Sequence, residues 1–433
     1  MGHTAPDRPS TRRPRVVIVG GGFGGLACAR ELDGQPIDVL LLDSHNYHLF
    51  TPLLYQVATA LLNPSDIAYP LRACFRRSPN VRFRQARVTA VDFDAKTVRT
   101  QAGDTITYDY LVLATGSSEN YFGNEQLATF TFGLKTLEQA LRLRNHVLGC
   151  LERASQARDD VERERWLTFV VVGGGPTGVE YAGALVELLE LVLGQDYPDL
   201  APGLARIVLV EGLARLLGAF PERLGRYAER TLRRRGVEVR TGALVMKATD
   251  RSALLGDGEE IQTATVVWSA GVRPNEPAQA PEPPRSRSRR IEVDAHLRIA
   301  ARPDAFAVGD VASMRHGQDE LPMLSAPAMQ AGRHVARLIM NEAGLAPASE
   351  RSLLRPFRYR DKGTMATIGR NAAVGQIGFL SFTGFPAWVA WLTVHLYYLV
   401  GFRNRLAVFA SWGWNYLRKD RPLRIIVAQP DRS

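Results

Sequence analysis

A chain of 433 residues is long enough for two to three domains, each with its own buried core. An apolar fraction of 45% and a charged fraction of 23% are those of an ordinary globular protein and argue against a disordered or polytopic membrane class. The net charge of +10 favours an anionic partner, whether phosphates of a cofactor, a lipid surface or nucleic acid. With no Cys/His zinc spacing and no aromatic RNA-binding motif, nucleic acid ranks last and no metal is expected.

The opening MGHTAPDRPSTRRPR is polar and basic, lacks an apolar stretch, and is read as a disordered arm over residues 1–14 rather than a secretory signal. Val16–Val19 is then an apolar strand that runs into Gly20-Gly21-Gly22-Phe23-Gly24-Gly25. A helix through Leu26, Ala29 and Leu32 follows, and a second strand, Val39–Leu42, ends in Asp43. The glycines allow a sharp turn, close approach of backbone to a pyrophosphate, and tight helix–strand packing. An acid roughly 20 residues on accepts from a ribose hydroxyl. A lone glycine motif of this kind is a weak signal, whereas strand, turn, helix and acid in register are a strong one.

TYDYLVLATG, Thr107–Gly116, reads as a strand ending in a small-residue turn at Thr115 and Gly116. The first arrangement then repeats: strand Phe169–Val172, turn Gly173-Gly174-Gly175-Pro176-Thr177-Gly178, helix through Leu185–Leu193, and strand Ile207–Val210 ending in Glu211. The acid follows at a longer interval because the helix is long and Gln195–Ala205 adds a connection. Glu211 would repel a 2′-phosphate, so NADH is expected over NADPH. Glu180 is placed in the first turn of the second helix, either as a complement to the helix dipole or as a site residue.

Thr265–Gly271 (TVVWSAG) is the partner of the Thr107–Gly116 strand. Pro274–Arg290, rich in Pro, Ser and Arg, reads as an exposed loop or flexible insert. Phe306–Asp310 is a strand ending in an acid that could hold a sugar-alcohol chain or cap the next turn. Lys362 precedes a strand in DKGTMATIG, where a Lys–Asp surface pair is the default reading. Cys28, Cys74 and Cys150 form no C-x-x-C or C-x4-C pair, which excludes a dithiol centre local in sequence and fits a reducing compartment.

Asn371–Phe402 carries no Asp, Glu, Lys or Arg, and basic residues cluster after it. Its uncharged part Ala387–Phe402 is just short of the roughly 17–25 residues of a spanning helix. Phe402, Leu406, Phe409 and Leu417 follow at helical spacing among Arg and Asn, and Trp388, Trp391, Trp412 and Trp414 lie in the same tail. Interfacial Trp with flanking Arg and Lys predicts a helix pair lying in a membrane surface. The alternative is a helix pair buried on the domains or in a dimer.

The expected architecture is α/β: two Rossmann-like dinucleotide-binding domains, as in two-dinucleotide-binding flavoproteins, with a C-terminal membrane-associating helical segment. Residues 15–125 and 291–348 would bind FAD, residues 126–290 would bind NADH, and residues 349–433 would hold a strand region and the membrane-associating helices.

Taken together, DSHNYHLFTPLLYQVAT from Asp43, GGGPTGVE from Gly173, AVGD, DKGTMATIG and the apolar tail with GFRNRL closely resemble the type II NADH dehydrogenases, single-subunit NADH:quinone oxidoreductases that pump no protons. The resemblance runs from about Arg15 onward. It implies FAD contacts at Gly20, Gly21, Gly22, Phe23, Gly24 and Gly25, at Asp43 and Ser44, at Thr51, at the Val88 backbone, at Thr115 and Gly116, at Asp310 along the ribityl chain, and at Pro327. It implies NADH contacts at Gly173, Gly175, Gly178 and Glu211, with Glu180, Lys362 and Gln330 as catalytic candidates near nicotinamide, flavin and quinone.

The resemblance further implies a quinone as acceptor and a homodimer attached peripherally to the inner, cytoplasm-facing side of the cell membrane. One departure stands in the quinone segment, where the family's first glutamine is replaced by Ala326 in Ser325-Ala326-Pro327-Ala328-Met329-Gln330. A sulfide:quinone oxidoreductase shares the layout but needs a cysteine pair at the flavin. A non-catalytic FAD- and NAD(H)-binding membrane sensor would keep the folds without turnover.

Overall fold

The computed structural model describes residues 12–427 apart from 202, 318, 346–354 and 419. Most of the expected N-terminal arm therefore lies outside the described residues. The chain divides into two compact units: one of Met1–His48, Pro70–Ser117 and Arg273–Arg360, the other of Leu49–Tyr69, Ser118–Val272 and Asp361–Ser433.

In the first unit five parallel strands lie in the order Ala305–Ala307, Tyr110–Leu113, Arg15–Val19, Asp38–Asp43 and Val81–Gln85. The central strand, RVVIV, is buried along nearly its whole length, as a strand covered on both faces requires. Helix Phe23–Glu31 begins directly after its glycine turn. It packs against helix Ser325–Glu342 so closely that a Cβ on Gly332 would stand 2.1 Å from the Gly24 carbonyl oxygen. Glycine is obligatory at such a crossing.

The second unit repeats the plan. Its parallel sheet runs Phe132–Gly133, Thr265–Trp268, Thr168–Val172, Arg206–Glu211, Val237–Thr241, again with the strand before the glycine turn in the centre. The helix after the turn, Pro176–Gln195, is apolar nearly all round and buries thirteen of its side chains or glycines, which accounts for its length. Each unit also carries a small antiparallel meander: Val88–Asp92, Thr97–Thr100 and Thr105–Thr107 in the first, Val245–Ala248, Ser252–Leu255 and Glu260–Gln262 in the second. The fold class is therefore α/β with two parallel sheets and a C-terminal helical segment.

Three expectations need correction. Thr107–Gly116 is not one strand: Thr105–Thr107 closes the meander, and only Tyr110–Leu113 joins the parallel sheet. Pro274–Arg290 is not simply an exposed loop. Ala278–Ala280 adds a parallel strand to Val88–Asp92, Arg285 pairs with Glu276, and Arg290 is buried and donates to the Leu321 carbonyl at 2.7 Å. Composition misled here because an edge strand contributes its backbone, not its side chains, and tolerates proline. Glu180, finally, is the fifth residue of its helix, past the first turn, and is buried.

The tail forms two helices, Phe385–Tyr398 and Phe402–Arg418, beside a three-stranded antiparallel sheet of Thr364–Thr367, Ala373–Ile377 and Leu380–Thr383. Among the described residues no helix is long and apolar enough to cross a membrane.

Candidate active site

The two glycine turns are built alike. Gly20 and Gly173 have φ values of +106° and +108°, and a Cβ on either would collide with the neighbouring strand's backbone, at 2.2 Å for Gly20 and 2.7 Å for Gly173. A Cβ on Gly25 or Gly178 would stand 1.8 Å from the carbonyl oxygen of Gly20 or Gly173. The middle glycines differ in kind. A Cβ on Gly22 or Gly175 would meet nothing within 4 Å. Glycine at those two positions answers no demand of the protein itself and leaves backbone open to a ligand.

Gly22 and Gly175 are also helix N-caps without a side-chain hydrogen bond, so the first-turn N–H groups of both helices have no capping side chain. The acid of each unit binds its own glycine turn. Asp43 Oδ2 accepts from Gly21 N at 2.6 Å and Oδ1 from His45 N at 2.7 Å. Glu211 Oε2 accepts from Gly174 N at 2.5 Å and Oε1 from Leu213 N at 2.7 Å. Each carboxylate is thus held at the strand end where a ribose hydroxyl would be read. An open middle glycine, an uncapped helix start and a fixed acid are the features a dinucleotide requires, and the residues fit FAD in the first unit and a nicotinamide nucleotide in the second.

Elsewhere in the first unit, Asp310 lies in a short helical turn, Gly309–Val311, and accepts from Ser117 Oγ at 2.5 Å. Ser44 Oγ is 3.2 Å from His45 Nδ1. Val88 opens the meander beside a register shift, Thr115 Oγ1 donates to the Asn275 carbonyl, and the Gly116 carbonyl accepts from Asn275 N at 2.9 Å. Pro327 is buried in the first turn of helix Ser325–Glu342, and Ala326 precedes it. Gln330 has its amide committed: Nε2 donates to the Arg360 carbonyl at 2.9 Å and Oε1 accepts from Arg360 N at 3.0 Å. Phe23 opens the first helix and stands edge-on to His48 at 5.1 Å, while His48 Nδ1 lies 3.0 Å from the Gly21 carbonyl. Burial pushes the His48 imidazole down to about 4, so it stays neutral beneath the turn.

The second unit gathers a denser cluster. Glu180 Oε1 accepts from Thr367 N and from Trp391 Nε1, both at 3.2 Å. Burial raises its carboxyl to about 8 against these two donors, which favour the charged form. Trp391 stacks on His395 at 3.9 Å and lies 5.9 Å from the Trp412 ring. Trp412 Nε1 donates to Gln56 Oε1 at 2.7 Å, and Gln56 Nε2 donates to the Tyr55 hydroxyl at 2.8 Å. Burial pushes the Tyr55 phenol well above its ordinary range, and nearby Glu180 pushes in the same direction. Lys362 Nζ is 3.1 Å from the Tyr398 hydroxyl, a partner that the Lys–Asp reading did not foresee, and Asp361 accepts from Gly363 N at 2.8 Å. Thr51 begins a short 3-10 turn in the Leu49–Tyr69 segment, which clusters with this unit.

Tyr55, Gln56 and Arg421 were not singled out from sequence, and Trp391, expected among the interfacial tryptophans, is instead buried against Glu180. The first two stand in the LFTPLLYQ run and Trp391 in AWVAW, but nothing in spacing alone aims them at Glu180. Arg421 is almost wholly buried and donates to the Thr59 and Ala184 carbonyls and to Glu187. An arginine in a basic, polar tail gives no sequence signal of burial. No group of three or more His, Cys, Asp or Glu able to hold a metal occurs among the described residues, and all three cysteines are free.

Residues 14–332 match the model of the pyridine nucleotide-disulphide oxidoreductase family, and residues 362–418 match the NDH2 C-terminal domain. The chain is 39% identical to type II NADH:quinone oxidoreductase NdhA of Mycobacterium tuberculosis, covering 96% of this chain and 90% of that protein. It belongs to the type II NADH:quinone oxidoreductase family. Ndh of the same organism is 37% identical, over 96% of this chain and 91% of that one. Among solved structures, NDH2 from Plasmodium falciparum in complex with NADH superposes with a TM-score of 0.87 at 18% identity, over 95% of this chain and all of that one. The sulfide:quinone oxidoreductase of Aquifex aeolicus superposes at 0.71 and 19% identity, a likeness of fold alone. The family's C-terminal segment supplies Trp391 and Trp412, so the Glu180 cluster is where its nucleotide-binding and C-terminal parts meet within the second unit.

Proposed function

We propose that the chain oxidises NADH and reduces a quinone at a membrane surface, with FAD bound in the first unit and without proton pumping. The observation that carries this reading is the buried Glu180 cluster. It joins the helix that starts at the second glycine turn to the aromatic residues of the C-terminal segment.

FAD, when bound, would supply the two-electron redox centre between donor and acceptor. The chain's own residues bind and orient. Gly20 to Gly25 and the N-terminus of helix Phe23–Glu31 would hold the pyrophosphate, Asp43 and Ser44 the adenosine ribose, the Val88 backbone the adenine, and Asp310 the ribityl chain. Thr115, Gly116 and Pro327 complete the proposed FAD contacts of the first unit, whereas Thr51, which the resemblance implied, belongs to the second. Gly173, Gly175, Gly178 and Glu211 would hold NADH, with Glu211 disfavouring a 2′-phosphate.

Glu180 keeps its proton at neutral pH because its surroundings are apolar, so its carboxyl can serve as a local proton store beside Trp391. Lys362 would stand beside the acceptor with Tyr398. Gln330 would act through the Arg360 backbone, to which it is bound on both sides. The replacement of the usual glutamine by Ala326 removes one amide from the quinone segment and is expected to change acceptor preference.

Attachment to the inner face of the cell membrane is part of the same reading. Phe402, Leu406, Phe409 and Leu417 are all more than half exposed on the last helix. The two tail helices also line an apolar groove of about 570 Å³ with Trp388, Leu392, Leu396, Phe409 and Trp412. A homodimer belongs to this proposal too, and its sedimentation in detergent checks it.

The decisive experiment is an anaerobic absorbance spectrum of the purified protein before and after NADH, then after a short-chain quinone. Flavin bleaching by NADH and recovery on quinone are expected. Bleaching by sulfide instead of NADH would select the sulfide:quinone alternative, for which the three free cysteines offer no disulfide. A flavin that NADH leaves oxidised would select the sensor.

A further inference from the structure

Helix Glu222–Arg234, on the second unit, has no part in the site described above. It buries Leu224, Gly225, Ala228, Thr231 and Leu232 on one face. Its other side presents five exposed arginines: Arg223, Arg226, Arg230, Arg233 and Arg234. Two of these are neutralised locally, Arg226 by Glu222 at 2.6 Å and Arg233 by Glu229 at 2.9 Å. Arg223, Arg230 and Arg234 form no ion pair among the described residues. At positions i, i+7 and i+11 they fall in one row along the helix.

That row lies beside an apolar tip. The hairpin of strands Ala373–Ile377 and Leu380–Thr383 packs against the helix, and Arg223 Nη2 donates to the Ser381 carbonyl at 3.1 Å. At its turn Phe379 is 92% exposed, flanked by Ile377 and Leu380, both more than half exposed. From Asn371 to Arg418 the sequence contains no Asp or Glu, so nothing on the hairpin or the tail helices offsets the row of arginines. A soluble polyanion would account for the arginines but not for the bare phenylalanine, and an apolar protein partner would leave three cations without counter-charge.

We propose that the Arg223–Arg230–Arg234 row and the Phe379 tip form a second membrane-docking element, separate from the tail helices, with the arginines meeting anionic phospholipid headgroups and Phe379 entering the acyl boundary. This rests on the membrane-surface reading above and adds to it a lipid-charge preference with named residues. A cation held near an anionic surface gains about 1 kcal/mol, which is roughly a fivefold change in partition, so removing two should cost roughly thirtyfold.

The test is sedimentation of the full-length holoprotein with phosphatidylcholine vesicles, with and without about a third phosphatidylglycerol, at low and high salt. The wild type is expected to bind both, with the anionic vesicles preferred at low salt. Arg230→Gln/Arg234→Gln should lose most of that preference, keep its binding to neutral vesicles, and reduce ferricyanide with NADH at the wild-type rate. Phe379→Ser should weaken binding to both compositions and keep the preference. Equal wild-type binding to the two compositions, or a preference untouched in the double variant, overturns the proposal and leaves the tail-helix reading standing. Failure of the wild type to bind any vesicle overturns both. A dimer that dissociates on Phe379→Ser without vesicle binding would assign the tip to a second copy of the chain and overturn it as well.

Discussion

Replacing Glu180 by glutamine removes a titratable proton without changing shape, and its cost or benefit should depend on pH in a defined way. The buried carboxyl has its pKa raised from 4.5 to about 8, chiefly by desolvation. Between those values the folded protein holds a proton that the unfolded chain has released. Its stability is therefore full below 4.5 and falls as pH rises through 8. At 1.36 kcal/mol per unit the full displacement corresponds to roughly 5 kcal/mol, an upper figure that local relaxation reduces.

Glutamine keeps an acceptor for Thr367 N and Trp391 Nε1 and does not titrate, so Glu180→Gln should escape this loss. Thermal unfolding of both proteins at a series of pH values from 5 to 9 reads it directly. The variant's midpoint should lie near the wild type's at pH 5 and climb relative to it towards pH 9. The rise is on the order of 10 °C if about 2 °C accompanies each kcal/mol. A difference between the two midpoints that stays constant across the range would refute a carboxyl that is neutral in the folded state at pH 7.

Gly175→Ala should fold like the wild type, because its Cβ meets open space, but raise KM for NADH about tenfold or more (~1.4 kcal/mol); Gly178→Ala, with a Cβ 1.8 Å from the Gly173 carbonyl oxygen, should fail to give folded protein by circular dichroism. Glu211→Ala frees Gly174 N and Leu213 N and removes the ribose acceptor, so steady-state kinetics should show NADH affinity down by roughly 10- to 150-fold, from the ~1.5–3 kcal/mol of a charge-assisted hydrogen bond, with the NADPH/NADH ratio raised. Arg421→Met leaves Glu187 and the Thr59 and Ala184 carbonyls without their buried donor and should cost about 3–5 kcal/mol in urea unfolding, with Arg421→Lys recovering part of it.

The two strand–glycine turn–helix–strand folds were legible from sequence because their determinants are local. A buried strand, a glycine turn, a helix and an acid at the next strand end lie within a few dozen residues, and each glycine answers a backbone demand of its own turn. The expectation of NADH in the second unit rests on an equally local feature, Glu211 at the strand end, where it binds its own glycine turn. The two tail helices were legible too, as an uncharged run followed by helical spacing of aromatic residues.

What only the tertiary structure decided depends on residues far apart in the chain. By sequence Glu180 is either a helix-dipole partner or a site residue; only the fold buries it, which raises its pKa, and brings up Trp391, 211 positions later, as a donor that opposes the rise. Arg421 and Arg290 are buried among distant carbonyls, although Arg290 closes a stretch that composition reads as exposed and Arg421 stands in the basic cluster that was read as flanking membrane-surface helices. Ala278–Ala280 became a strand only because Val88–Asp92 offered it an edge. Local backbone chemistry is written in neighbouring residues, whereas burial is a property of what the rest of the chain brings alongside. For this protein the sequence alone determined two strand–glycine turn–helix–strand folds, each ending in an acid, and long-range packing decided the burial and protonation of Glu180 within the second unit.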